Sequence, residues 1–392
     1  MTENEQKVDV AIVGGGMVGA ALASGLAQHG FEVAVLEQEA PVDFDPVSPP
    51  DVRISAIGAA SVALLKQLDV WPAVTAMRCA PYRRLETWEW QTAQVSFDAA
   101  SLGLPELGYM VENSVLQRAL WQRLQQQPVR IICPTRLQSL QPVNGGWQLT
   151  LDGGQRLNTR LVIGADGANS QVRQMAGIGI RGWNYAQSCM LISVRCEHDA
   201  GDTTWQQFTP QGPRAFLPLF DNWASLVWYD SPARIRQLQA MPIPQLQKEV
   251  AAHFPARLGK VTAVAAGSFP LVRRHAIDYV KPGLALVGDA AHTINPLAGQ
   301  GVNLGYRDVD ALINVLSESR LRAEDWASEA VLMRYQRQRQ KDNQLMQSGM
   351  DLFYFAFSNQ LGPLKLVRNL GLMAAQHSGG LKRQALRYAL GL

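Results

Sequence analysis

The chain begins its ordered pattern with an apolar, β-branched run over 8–13, followed by GGGMVG, a small-residue stretch at helical spacing that ends near Gly30, and a second apolar run, FEVAVLE. A continuous apolar run bounded by glycines reads as a strand buried on both faces, and the helix between two such runs makes a βαβ unit. Two further apolar strands end in acidic turns, LVIGADGANS over 161–170 and LALVGDAAHTINPLAGQGVNLGYRD over 284–308. Residues 73–104 and 180–274 are different. They are rich in Trp, Phe and Tyr and punctuated by Pro and Gly, as in TWQQFTPQGPRAFLPLFDNWASLVWYDSP, which predicts antiparallel sheet. The expected fold is α/β (α+β): a discontinuous Rossmann-like domain from 1–72, 105–179 and 275–350, an inserted antiparallel-sheet domain from 73–104 and 180–274, and a helical C-terminal segment over 351–392. No internal repeat or long linker is evident.

The glycine positions carry the first chemistry. Gly14, Gly16 and Gly19 occupy the three places of a dinucleotide fingerprint, serving a tight turn, close backbone approach to a pyrophosphate, and close helix-on-strand packing. The new helix directs its unpaired N–H groups and positive dipole end at that pyrophosphate. Glu37 ends the second strand, placed to accept hydrogen bonds from a ribose and to disfavour a 2′-phosphate. GIGIRG, at Gly177, Gly179 and Gly182, matches the same pattern but follows the polar stretch SQVRQMA rather than a strand, and reads as a ligand-free loop. In open α/β sheets ligands collect outside the carboxyl ends of strands, so Asp166 and Asp289 are expected to converge on the crevice above the fingerprint. Gly299 and Gly301 let the backbone pass close to a flat ligand just before a helix, whose N-terminal dipole suits an anion such as a reduced isoalloxazine.

With 392 residues, 47% hydrophobic and 18% charged, the chain can bury an ordinary core and is long enough for about two domains. The net charge is only +3 and no basic block is concentrated enough to meet a run of phosphates, so nucleic acid is not an expected partner. The start MTENEQK lacks the features of a secretory signal, and no apolar stretch approaches membrane-spanning length. A cytoplasmic protein is expected, with any membrane contact peripheral and on the inner face. Cys79, Cys133, Cys189 and Cys196 form no CxxC pair and the histidines are scattered, which predicts reduced thiols and gives no support for a metal site. Trp88, Trp90, Trp205, Phe208, Phe216, Trp223, Trp228 and Tyr229 fit sheet core, with a flat-substrate pocket as the alternative. Residues 352–392 contain no acid. Lys365, Arg368, Lys382, Arg383 and Arg387 interleave there with Leu366, Val367, Leu370, Met373, Leu381, Leu386 and Leu390. Two readings stay open: an amphipathic surface for anionic membranes, or a helix packed on the protein with a solvated basic side.

Taken together, GGGMVG with Glu37, DVRISA around Arg53, GADGANSQVR and GDAAHTINPLAGQGVNLGYRD resemble the flavin-dependent aromatic hydroxylases of the para-hydroxybenzoate hydroxylase type, nearly end to end. Within them, NPLAGQGVNLGYRD resembles the ubiquinone-biosynthesis hydroxylases. RRLETWEWQTA, LGYMVENSVLQRALW, WYDSPARIRQLQ and QSGMDLFYFAFSN look most like the branch acting on demethoxyubiquinol.

The resemblance implies that Gly14, Gly16 and Gly19 cradle the FAD pyrophosphate, that Glu37 holds the adenosine ribose, and that Arg53 reaches the phosphate and flavin region. It gives Asp289, with Gly288, the ribityl or pyrophosphate part of FAD. Asp166 and Gly167 are linked to both FAD and reduced nicotinamide, and Pro296, Gly299, Gln300 and Gly301 border the isoalloxazine. Asn295 stands where many relatives place histidine. The implied reaction is hydroxylation of the quinol ring of a prenylated precursor, 2-polyprenyl-3-methyl-6-methoxy-1,4-benzoquinol, through a flavin C(4a)-hydroperoxide. NAD(P)H would be a transient electron donor, dioxygen the co-substrate, and other ubiquinone-biosynthesis proteins partners. A catalytic base cannot be named; His275 and His292 are candidates by residue type alone. Hydroxylation at another ring position, a prenyl-lipid carrier and a flavin reductase of the same fold are the alternatives.

Overall fold

A computed structural model describes residues 6–294, 301–357 and 362–392. The N-terminal apolar run forms the Gln6–Val13 strand, which pairs in parallel with Val33–Leu36 on one side and Arg156–Gly164 on the other. Val129–Ile132 extends the sheet beyond Val33–Leu36, and Leu284–Leu286 lies beyond Arg156–Gly164, also in parallel. Where they lie buried on both faces, at Val10–Val13, Val33–Leu36, Leu161–Gly164 and Leu284–Leu286, these strands need no polar alternation and are built of Val, Ile, Leu, Ala and Gly. Leu137–Val143 and Gly146–Leu151 add an antiparallel hairpin against the first half of Arg156–Gly164.

The helices Met17–Gln28, Asn113–Gln125 and Gly301–Leu321 pack with this sheet into one core that includes Leu22, Leu26, Leu116, Leu120, Leu312 and Leu316. Close approach is possible because Met17–Gln28 is built of small residues. A Cβ on Gly25 would lie 2.1 Å from Ile313 Cδ1.

The second sheet has eight strands. From one edge inward it runs His292–Thr293, Val261–Ala276, Ile180–Cys196, Trp223–Asp230, Arg214–Pro218, Thr203–Gln207, Arg84–Trp88 and Gln94–Asp98. Every pairing is antiparallel except Thr203–Gln207 with Arg84–Trp88. A three-stranded antiparallel sheet, Ile54–Gly58, Gly108–Glu112 and Ala80–Tyr82, lies beside it and shares an apolar cluster with it. Most of the aromatics are sheet core: Trp88, Trp205, Phe208, Phe216, Trp228 and Tyr229 are buried, and Trp205 stacks on Phe216 at 5.5 Å. Trp90 is exposed and Trp223 half-buried. All four cysteines are free.

Two expectations need correction. Gly182 of GIGIRG is not in a loop. The Ile180–Cys196 strand starts before it, and a Cβ there would sit 2.0 Å from the Arg273 carbonyl oxygen of the neighbouring strand, so glycine is required by strand contact. Nor do the C-terminal cations share one solvated face. Arg368 is buried on Glu89, and Lys382 donates to the carbonyl of Ser96 at 3.0 Å, because both side chains hold the terminal helices to the second sheet.

Candidate functional site

Register fixes where the loops meet. Leu36 pairs with Val13, Val13 with Gly164, and Gly164 with Leu286, so four parallel strands finish in one row and release their loops at a single edge. Those loops carry Glu37, Gly14–Gly19, Asp166–Gly167 and Gly288–Asp289, residues far apart in the chain.

The first loop is tightly built. Gly14 has φ +105°, and a Cβ there would lie 2.4 Å from the Ala165 carbonyl oxygen; a Cβ on Gly19 would lie 2.0 Å from the Gly14 carbonyl oxygen. At Gly16 a Cβ would meet nothing within 4 Å, because that position faces the open side. The helix Met17–Gln28 starts there without a side-chain cap and without an acidic residue in its first turn, leaving its N–H groups and dipole directed at the open space. The Glu37 carboxylate accepts the Gly15 N–H at 2.6 Å on one oxygen and the Gln38 N–H at 2.6 Å on the other. The Glu39 N–H also reaches it at 3.3 Å, so of about four lone-pair sites on the carboxylate about one is left for a ribose hydroxyl.

Asp166 does two things. One oxygen accepts the Gln171 and Val172 N–H groups at 2.7 and 3.1 Å, capping the short helix Gln171–Met175. The other is buried with no hydrogen-bond partner among the described residues, which is costly unless a ligand donor meets it. Gly167, at φ +77°, opens the turn.

Gly288 has φ +58° and packs against Val18 of the first helix. The Asp289 side chain reaches solvent, yet protein surrounds it closely. This reduced solvation raises its carboxyl above the usual range, with His292 and Arg53 pulling the other way. Arg53, exposed at the start of Ile54–Gly58, makes no side-chain hydrogen bond among the described residues, so its guanidinium is available to a phosphate or flavin near Asp289. Gly301 begins the helix Gly301–Leu321, and among the described residues a Cβ there would meet nothing within 4 Å. Asn295, Pro296, Gly299 and Gln300 lie outside the described residues.

Several residues that frame the site were not singled out from the sequence. Asp308 is fully buried and accepts the Gly288 N–H at 3.0 Å, His292 Nε2 at 2.5 Å, Arg339 Nε at 2.8 Å and Asn343 Nδ2 at 3.3 Å. Burial alone would raise its carboxyl; His292 and Arg339 outweigh that and hold it down at about 2. One carboxylate thus ties the Gly288 turn, the edge strand of the second sheet and two helices. Arg173, also buried, donates to the carbonyls of Ala290 and Ala168 and joins two of the acidic turns. Trp121 Nε1 donates to the Gly15 carbonyl at 2.7 Å. The only sequence signal for Asp308, Arg173 and Trp121 was their place at the ends of NLGYRD, GADGANSQVR and LGYMVENSVLQRALW.

The two histidines are internal. His292 is engaged by Asp308, and His275 bonds Gln347 and Gln344, its proton affinity lowered to about 4 by burial and by His292. Neither ring is directed at open space. Among the described residues no cluster of His, Cys, Asp or Glu could hold a metal ion.

An uncapped helix above an open glycine, a buried Asp166 with one oxygen unmet among the described residues, an accessible Asp289 and an exposed Arg53 fit a dinucleotide cofactor laid across the strand ends. The family model for the FAD binding domain matches residues 7–348, and the chain belongs to that family. The p-nitrophenol 4-monooxygenase PnpA of Pseudomonas putida superposes with a TM-score of 0.82 over 98% of both chains at 18% identity, a likeness of fold.

Within this class of flavin-dependent monooxygenases the chain belongs with the ubiquinone-biosynthesis hydroxylases. It is 70% identical to the 3-demethoxyubiquinol 3-hydroxylase of Escherichia coli over 99% of both chains. It is also 37% identical to the ubiquinone hydroxylase UbiL of Rhodospirillum rubrum, covering 100% of this chain and 91% of that one. With the mitochondrial ubiquinone biosynthesis monooxygenase COQ6 of Rattus norvegicus it shares 33% identity over 97% of this chain and 90% of the other.

Proposed function

We propose that the chain hydroxylates the ring of demethoxyubiquinol, with FAD as resident cofactor, dioxygen as oxygen source and NAD(P)H as transient electron donor. The observation that carries this reading is the 70% identity over 99% of the chain to a relative bearing that activity in its name. In balance, one oxygen atom enters the ring C–H bond and the other leaves as water, with two electrons and a proton supplied by NAD(P)H and a further proton from solvent.

Bound FAD supplies the activation of dioxygen for transfer to an electron-rich ring. The protein's part is binding and exclusion of water. Gly14, Gly16 and Gly19 with the first helix would hold the pyrophosphate, Glu37 the ribose, Arg53 a phosphate or the flavin, and Asp289 with Gly288 the ribityl chain. Asp166 has an unspent oxygen for a further cofactor donor, and Gly301 opens a helix toward the flavin. Pro296, Gly299 and Gln300 complete this assignment as proposals from the family resemblance. We assign 1–72, 105–179 and 275–350 to the FAD unit, with the second sheet supplying the substrate wall. Supporting that wall, Tyr185, Cys189, Leu191, Leu217 and Tyr229 share an apolar cluster with Ile54, Ala56 and Met110 of the small sheet next to Arg53.

No helix among the described residues is long and apolar enough to cross a membrane. A prenyl tail gains roughly 0.8 kcal/mol per CH₂ on leaving water, so substrate would be taken from a lipid surface on the cytoplasmic side, alone or within an assembly of other ubiquinone-biosynthesis proteins.

The test is to load the purified chain with FAD and supply a short-tailed demethoxyubiquinol, NADH or NADPH, and air. A yellow protein whose product gains one oxygen atom by mass spectrometry supports the reading. A colourless preparation would point to a carrier, and yellow protein that yields a saturated tail to a reductase.

A further inference from the structure

The helix Gly362–His377 turns its polar side to the protein. Arg368 pairs with buried Glu89 at 2.5 Å, and Asn369 donates to the same carboxylate at 2.6 Å while accepting the Trp90 N–H at 3.3 Å. Gln376 accepts the Ser96 N–H at 3.0 Å, and Leu372 lies between these polar residues in a small cluster with Phe208 and Phe357. At 3.6 residues per turn, Leu366, Val367, Leu370 and Met373 fall on the opposite side, and they are 50, 64, 54 and 44% exposed. A helix facing water places its apolar stripe on the core, so this arrangement is reversed. Nor can the helix relax by rotating, since that would strip the partners from the buried Glu89 carboxylate.

We propose that this outward stripe is the surface by which the protein docks on an anionic lipid bilayer. The choice of lipid over another protein rests on charge and on neighbours. Residues 352–392 hold no carboxylate side chain, while Arg383 and Arg387 are exposed on the following helix, Gly380–Leu390, and Leu381 at its start is also exposed. Trp90, exposed beside Lys365, is the type of side chain that settles at a membrane interface. Leu352 and Phe355 are exposed on the preceding helix, Glu329–Phe357. Apolar side chains flanked by cations with no acid among them suit negatively charged headgroups. The inference rests on the reading that the substrate carries a prenyl tail, and it says where that tail would be handed over.

The test uses the full FAD-loaded chain in cosedimentation with vesicles of phosphatidylethanolamine and phosphatidylglycerol, against phosphatidylcholine alone. The wild type should prefer the anionic vesicles and bind them less as salt rises. Leu366→Ser with Leu370→Ser should weaken association about tenfold, from loss of half-exposed apolar area. Arg383→Gln with Arg387→Gln should abolish the anionic preference. All variants should keep flavin absorbance and turn over a water-soluble short-tailed quinol as the wild type does, which separates failure of docking from failure of the proposed reaction. Equal vesicle binding by wild type and the double serine variant overturns the proposal. So does a wild type that self-associates in solution while the double serine variant does not, with vesicle binding equal in both, which would make the stripe a contact between copies.

Discussion

Asp308→Asn tests whether one buried carboxylate holds the cofactor edge together. The substitution keeps the shape but turns one oxygen into an NH₂ group. Both oxygens now accept from donors, Gly288 N–H and His292 on one, Arg339 and Asn343 on the other, so the amide must oppose a donor in either orientation. Arg339 keeps Asp342 as a partner at 2.5 Å, which moderates the loss. Removing one member of a buried pair costs about 3–5 kcal/mol; with Asp342 retained we expect about 3 kcal/mol. At about 1.2 °C per kcal/mol for a chain of 392 residues, the thermal midpoint should fall by about 4 °C.

The pH dependence gives a second signature. The Asp308 carboxyl is held at about 2 in the fold, against a usual value near 3.9. Its contribution, on the order of 2–3 kcal/mol, is therefore complete above about pH 4 and is lost as pH falls toward 2. Urea unfolding of wild type and variant at pH 7 and pH 3 reads both quantities. A variant within 0.5 kcal/mol of wild type at pH 7, or a gap that does not narrow at pH 3, would refute the reasoning.

Other substitutions probe other parts of the site. Gly19→Ala places a Cβ 2.0 Å from the Gly14 carbonyl oxygen, so the loop must shift, and the purified protein should retain less than about a tenth as much FAD by absorbance. Asp166→Ala removes a helix cap as well as the free oxygen; a loss of about 1 kcal/mol in unfolding is expected along with weaker FAD retention, and a protein unchanged in both would remove Asp166 from the site. His275 is depressed to about 4 against a usual value near 6.5, so the unfolded chain takes up its proton first and stability falls as pH drops from about 6.5 to 4. His275→Gln should flatten that limb of a melting profile, and an unaltered slope would show that another group titrates there.

The continuous apolar runs, the glycine fingerprint and the acidic strand ends make the parallel sheet and the order of its loops legible in the sequence, because period and glycine chemistry act within a few residues. Sequence also showed that the tail is free of acids and helical in pattern. It could not show which way the helix Gly362–His377 faces, since its wheel permits either side inward and only Glu89, some 280 positions earlier, decides. The same limit hid the clamp around Asp308. Its partners at 288, 292, 339 and 343 acquire meaning only when the second sheet's edge strand and two helices converge, and the worth of a buried charge depends on what surrounds it in space. Local pattern determined the elements and the cofactor class. Tertiary packing alone decided which carboxylates brace the loops, which oxygen of Asp166 is left unspent, and which apolar residues face outward.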